Sequence, residues 1–162
     1  MNTKVRHVEI AGAGFAGLTA AAALAQRGWS VRVHEMGDRL RTTGAGIYIY
    51  ENGLKVFEAV GAYEAATRDA FPGRAREMRD DANTTVARIE WNPGGALRMY
   101  SIVRQHCIDA LAEAATRAGA EIVTGSEVAG AHSNGELVLR DGRRLKADLV
   151  VGADGVGSPT RD

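Results

Sequence analysis

The sequence holds a single cysteine, Cys107, among 162 residues, so no disulfide can close within the chain. No group of Cys and His has the spacing of a zinc site. Charge of one sign is also missing: 20 Lys and Arg balance 20 Asp and Glu, which excludes the positive field that holds nucleic acid or an acidic membrane surface. No apolar run approaches the roughly 18 residues of a membrane span, and the amino-terminal stretch lacks the order of a signal peptide. Neither a repeat nor a low-complexity linker divides the chain. Apolar residues at 45% and charged residues at 25% are ordinary globular values and argue against disorder. These absences lead to the expectation of one soluble domain in a reducing cytoplasm. Glycine is what the chain has in excess: 20 residues, roughly 12% against about 7% in typical proteins.

The glycines punctuate recognisable elements. Val5 to Ala11 alternates Val5, Val8 and Ile10 with Arg6, His7 and Glu9, which predicts a half-buried strand. It breaks into Gly12-Ala13-Gly14-Phe15-Ala16-Gly17, a tight turn opening a helix over Leu18 to Arg27 that stops at Gly28. Val31 and Val33 mark a second strand ending at Glu35. Residues 5 to 35 therefore read as a right-handed β-α-β unit with parallel strands. Further on, Asn52 is expected to cap a helix whose apolar face is Leu54, Val56, Phe57 and Val60, ending at Gly61. Phe71 to Met99 has a poorer pattern, with β-like pieces near Thr84 to Trp91, and reads as strands of a different layer. Ile108, Leu111, Ala112 and Ala115 predict a helix from about Arg104 to Ala118, ended by Gly119. Ala120 to Thr124 follows as a third parallel strand. Ser133-Asn134-Gly135 and Asp141-Gly142 are hairpin turns, so Val128 to Ala131, Glu136 to Leu139 and Arg143 to Lys146 form an antiparallel meander. Leu149 to Val151 is a fully apolar strand opening onto Gly152-Ala153-Asp154-Gly155.

Gly-x-Gly-x-x-Gly by itself is a weak signal. Here Gly12, Gly14 and Gly17 follow a strand and open a helix, and Glu35 stands at the end of the next strand, which is the context the motif requires. Gly12 permits the turn, Gly14 lets backbone approach a pyrophosphate, and Gly17 lets the helix pack on the strand. The N–H groups and positive dipole at that helix start favour phosphate. Glu35 would accept hydrogen bonds from both adenosine ribose hydroxyls and repel a 2′-phosphate. FAD or NAD is thus expected rather than NADP. The bland alternative is a glycine-rich turn with a surface glutamate.

With these residues the sequence resembles the FAD-dependent aromatic hydroxylases, single-component flavoprotein monooxygenases such as the salicylate, hydroxybenzoate and hydroxynicotinate hydroxylases. Three more stretches carry the resemblance: Gly44-Ala45-Gly46-Ile47 with Asn52-Gly53-Leu54 and Val60-Gly61; Arg104 at the start of its helix; and Gly152-Ala153-Asp154-Gly155-Val156-Gly157-Ser158-Pro159-Thr160-Arg161, the most specific. The resemblance spans Val5 to Arg161. It implies an α/β, Rossmann-like FAD-binding fold with a parallel sheet, a small antiparallel meander and part of a second β layer. Residues 1–162 would form one FAD-binding domain, with about 70–99 in an incomplete substrate-side layer. It also implies FAD as a tightly bound cofactor, NADH or NADPH as reductant, and O2 as co-substrate for hydroxylating a small phenolic or heteroaromatic compound. Carried onto this sequence, Gly12, Gly14, Phe15, Ala16 and Gly17 would cradle the pyrophosphate, and Glu35 would hold the ribose with Met36 beside it. Arg41 and Gly46 would lie where the loop passes the cofactor, Arg104 would supply positive charge, Val128 a backbone contact to adenine, and Asp154 a contact at its strand end. The family continues past the Asp-Gly segment into a later Gly-Asp segment that Gly37-Asp38 comes too early to be. An amino-terminal part of a longer enzyme is therefore expected, with no catalytic residue assignable.

Other residues read more simply. Tyr48 and Tyr50 could face a flavin or substrate, but alternating aromatics in a strand usually pack. His7, His34, His106 and His132 are scattered and read as satisfied core or surface histidines. Cys107 reads as a small buried hydrophobe, Trp29 and Trp91 as packing, and Arg74 to Asp81 as a solvated face. Two other functions stay open: a nucleotide-binding module without catalysis, and another FAD oxidoreductase such as a dehydrogenase, reductase or halogenase. The disulfide reductases are disfavoured, because no Cys-x4-Cys pair exists.

Overall fold

A computed structural model describes residues 5–40, 44–90 and 97–161. Strand β1 (His7–Ala11), helix α1 (Phe15–Ala25) and strand β2 (Ser30–His34) form the expected unit, with Val8 opposite Val31 and Ile10 opposite Val33 in parallel register. The chain continues as β3 (Gly46–Tyr50), α2 (Glu51–Val60), α3 (Tyr63–Thr67), β4 (Phe71–Pro72), β5 (Ala75–Arg79) and β6 (Thr85–Glu90). It then runs through β7 (Met99–Val103), α4 (Arg104–Arg117), β8 (Glu121–Val123), β9 (Val128–His132), β10 (Glu136–Leu139), β11 (Arg144–Lys146) and β12 (Leu149–Gly152). The parallel sheet has the order β12-β1-β2-β8. The meander β11-β10-β9, an antiparallel sheet β3-β7-β4 and the ribbon β5-β6 complete it.

The sheet centre is dry because β1 is flanked on both sides. Val8, Ile10, Val31 and Val33 are buried, and Gly17, Leu18, Ala21, Ala22 and Ala25 line the inward stripe of α1. That stripe packs on α4, whose Cys107, Ile108, Leu111, Ala114 and Ala115 are buried. Alanines allow the two helices close approach, while Leu18 and Leu111 each contribute about 1.5–3 kcal/mol by leaving water. Burial pushes the Cys107 thiol up to about 11, so it is neutral and unreactive at neutral pH.

Several expectations need correction. Glu9, placed by alternation on a solvated face, is 1% exposed, since a central parallel strand has no wet side. Helix α1 starts three residues before Leu18 and ends at Ala25, with a turn carrying the chain to Gly28 at φ +79°. Asn52 lies inside α2 rather than capping it, because the extended Tyr50 leads directly from β3 into the helix. Val56 is exposed, whereas Leu54, Phe57 and Val60 form the buried face as expected. Strand β12 is half-buried, being paired on one side only, by β1, among the described residues. The sequence pattern gave no sign of α3, which is too short for a helical period to show. Trp91 and Pro93-Gly94-Gly95 lie outside the described residues.

Arg98 ties the second layer to α2. Its guanidinium donates to both Glu51 carboxylate oxygens (2.8 and 2.9 Å) and to Glu58 Oε1 (2.8 Å). These bonds from Arg98 hold the Glu51 carboxyl at about 2, well below its ordinary 4.5. In the unfolded chain the group takes up its proton near 4.5, so the pair's contribution is complete above that pH. It is lost as pH falls from 4.5 towards about 2. Urea midpoints measured across this window are expected to fall less steeply for Glu51→Gln than for the unsubstituted chain. Parallel slopes would show that the pair has no net effect on stability.

Candidate nucleotide-binding site

The carboxyl ends of β1, β2 and β12 and the segments following β8 open into one cleft of about 730 Å³. Gly12, Gly14, Glu35, Met36, Ser126, Val128 and Asp154 line it, together with His34, Glu127 and Arg140. Open α/β sheets place ligands at this edge, and the volume lies within the range of small-molecule sites.

The glycines have distinct geometric reasons. Gly12 sits at φ +94°, and a Cβ there would run into the Ala153 carbonyl. A Cβ on Gly17 would collide with the Gly12 carbonyl oxygen. Gly14, in contrast, has no atom of the other described residues within 4 Å of where its Cβ would be, its chain neighbours aside, so open space lies over the start of α1. Helix geometry leaves the first-turn N–H groups, at Phe15, Ala16 and Gly17, without intrahelical acceptors. Among the described residues no side-chain cap bond is made there by the N-cap Gly14, and no acidic residue stands in the first turn. The helix start is open to an external anion.

Glu35 follows β2 and is locked by two backbone donors: Ala13 N–H to Oε2 at 3.1 Å and Gly37 N–H to Oε1 at 2.9 Å. A carboxylate has about four lone-pair sites, so both oxygens keep capacity for further donors. Met36 beside it is exposed. On the opposite wall, Asp154 accepts from the Thr160 N–H (3.1 Å) and hydroxyl (3.0 Å). Burial opposes its charge, but hydrogen bonds from Ser158 and Thr160 prevail and hold its carboxyl below the ordinary range. Asp154 thus organises the Asp-Gly turn while facing the cleft. Backbone bonds lock the walls together, since Gly12 N–H donates to the His34 carbonyl and Ala153 N–H to the Ala11 carbonyl.

Gly46 and Arg104 stand apart from this lining. Gly46 begins β3 opposite Val103, and the Arg104 guanidinium lies 5.4 Å from the centre of the Phe15 ring, a cation–π contact that holds the charge near the start of α1. Phe15 and Ala16 form the first turn of α1, and Arg41 lies outside the described residues. Tyr48 and Tyr50 are exposed on β3 and do not line the cleft. Sequence reasoning missed His34, Ser126, Glu127 and Arg140 as lining residues. Nothing in their local sequence marks them, because the sheet order brings them to the cleft. Among the described residues no cluster of His, Cys, Asp and Glu could hold a metal, and no helix is long and apolar enough to cross a membrane.

A βαβ unit with an open glycine turn, a bare helix start and an acidic residue ending the second strand defines a nucleotide-binding protein of the dinucleotide class. Comparison with known proteins narrows it: the model of the FAD binding domain family matches residues 5–162, and the chain belongs to that family. It is 44% identical over 156 residues to the 2-heptyl-3-hydroxy-4(1H)-quinolone synthase of Mycobacteroides abscessus, covering 96% of this chain and 42% of that protein. It is 34% identical to the 3-amino-4-hydroxybenzoate 2-monooxygenase of Streptomyces cremeus, over 95% of this chain and 41% of the relative. Among solved structures, the tetrameric form of 2-methyl-3-hydroxypyridine-5-carboxylic acid oxygenase superposes with a TM-score of 0.91 at 43% identity, over 98% of this chain and 42% of that one. The chain spans about two fifths of the length of these relatives.

Proposed function

We propose that this chain is the FAD-binding part of a monooxygenase that hydroxylates a phenolic or heteroaromatic compound with NADH or NADPH and O2. The observation that carries the reading is the continuous cleft from the open space over Gly14, past Glu35, to Val128. It suits FAD: a bare helix start for the diphosphate, a backbone-held carboxylate for the ribose and an apolar wall beyond. In this assignment the backbone of Gly12, Gly14, Phe15, Ala16 and Gly17 holds the pyrophosphate, and Glu35 binds the ribose with Met36 flanking it. Val128 offers its backbone to adenine. Arg104 places positive charge by the diphosphate, Gly46 and Arg41 border the cofactor, and Asp154 shapes the wall opposite.

FAD, once bound, supplies the redox chemistry, and this part of the protein binds and orients it. Residues 70–99 contribute to the substrate-side layer in this reading. The exposed Tyr48, Phe71, Met78, Val86 and Ile89 offer that layer an apolar surface. The buried free thiol suits a reducing cytoplasm. The relatives' names support an aromatic substrate, given that one makes a hydroxyquinolone and another oxygenates an aminohydroxybenzoate. A second reading, a nucleotide-binding module without chemistry of its own, is favoured by the cleft, where every group assigned above serves to bind a nucleotide.

The test is an absorbance spectrum of the purified chain after FAD is added and the excess removed. A retained flavin with displaced maxima is expected. A chain that stays colourless overturns the assignment of the cleft. NADH and NADPH oxidation by the loaded chain, with and without phenols, separates the hydroxylase from the inert module.

A further inference from the structure

Three of the most deeply buried polar side chains stand in line behind the cleft. Glu9, His34 and Ser126 are 1%, 3% and 4% exposed. His34 Nε2 lies 2.7 Å from Glu9 Oε2, and its Nδ1 lies 2.8 Å from Ser126 Oγ. The other Glu9 oxygen faces His7 Nε2 at 2.9 Å and the Arg32 guanidinium at 3.5 Å. Burial disfavours charge on Glu9, yet the hydrogen bonds from His34 and His7 outweigh it and hold the carboxyl below its ordinary range. A carboxylate only accepts, so His34 Nε2 carries the proton. With no second proton on the imidazole, Nδ1 is a bare lone pair to which the Ser126 hydroxyl gives its single proton. The lone pairs left on Ser126 can only accept.

Strand order sets where this acceptor lies. The glycine turn follows β1, Glu35 follows β2, and Ser126 follows β8, the next strand across the sheet. Ser126 N–H also donates to the Glu35 carbonyl at 2.8 Å, fixing the segment that leads to Val128. A nucleotide with its phosphates on the turn and its ribose at Glu35 brings its base to the Ser126 end. We propose that His34 carries a single proton, on Nε2, and that the Glu9–His34–Ser126 relay thereby makes Ser126 an acceptor-only group that selects a purine bearing a 6-amino donor. Ser126 is the specificity-determining residue; His34 and Glu9 are positioning residues, and Glu9 does not line the cleft. This inference rests on the cofactor reading above.

The experiment titrates ADP and purine riboside 5′-diphosphate, which lacks only the 6-amino group, into the chain and into its Ser126→Ala and Glu9→Gln variants by calorimetry. The unsubstituted chain is expected to prefer ADP about tenfold, the worth of one well-placed hydrogen bond. Both variants bring the ratio towards one by weakening ADP alone. A merely structural Glu9 would weaken both nucleotides equally in Glu9→Gln and leave the ratio intact, which overturns the relay. Should Glu9→Gln fail to fold, the imidazole nitrogen shifts of His34 in the unsubstituted chain decide: a protonated Nδ1, with or without a proton on Nε2, overturns it. ADP binding without the preference overturns this inference alone, whereas failure of both nucleotides to bind overturns the cofactor reading with it.

Discussion

Gly17→Ala is expected to cost about 3 kcal/mol or more of folding stability, a large share of the margin of a single domain. The added Cβ would fall against the Gly12 carbonyl oxygen. That oxygen cannot retreat, because Gly12 is itself wedged against Ala153 and bonded to His34. Helix α1 would have to lift from the turn, opening its contact with α4 and tilting the N–H groups of its first turn. Gly14→Ala provides the contrast. Its Cβ meets nothing within 4 Å among the described residues, so its unfolding free energy from urea titration should stay within about 0.5 kcal/mol of that of the unsubstituted chain. Its FAD affinity should nevertheless fall, since the methyl group occupies the space over the helix start. Equal stability for Gly17→Ala and the unsubstituted chain would mean that the turn and helix are less tightly interlocked than described.

Glu35→Ala is expected to weaken FAD binding by about 1–3 kcal/mol, roughly five- to 150-fold. Two losses combine: the acceptor for the ribose, and the anchor that holds the Ala13 and Gly37 N–H groups. Glu35→Gln separates them, because its one carbonyl oxygen retains part of the second function and none of the charge. Fluorescence titration of FAD against the three chains reads the difference. Unchanged affinity in Glu35→Ala would remove Glu35 from the site.

Much of the fold was legible where glycine and period coincide. Gly28, Gly61 and Gly119 all stand at positive φ just beyond helices that the apolar spacing had already marked. The meander was readable from its two turns, Gly135 and Gly142, which are also at positive φ. Glu9 was misread because alternation along a strand assumes one wet face, and only the pairing of β1 with both β2 and β12 removes that face. Asn52 was misread because capping statistics are local, while the start of α2 is fixed by Glu51 bonding to Arg98, 47 residues away. The same distinction governs the cleft. Gly12, Gly14, Gly17 and Glu35 are near one another in sequence and carry a motif, whereas Ser126 and Arg140 reach the site through sheet order alone.

The strand order also dictates a timetable. Among the described strands of the parallel sheet, β1 is made before the others and finds one neighbour in β2 soon afterwards, but its other neighbour is β12, and His7 N–H bonds to the Asp148 carboxylate across 141 residues. Until residues 149–152 emerge, one edge of the central strand has nothing to pair with. Contacts of such long sequence separation slow folding and leave sticky edges exposed meanwhile. Nascent chains halted before Asp148 should therefore remain protease-sensitive and chaperone-bound, however complete their helices.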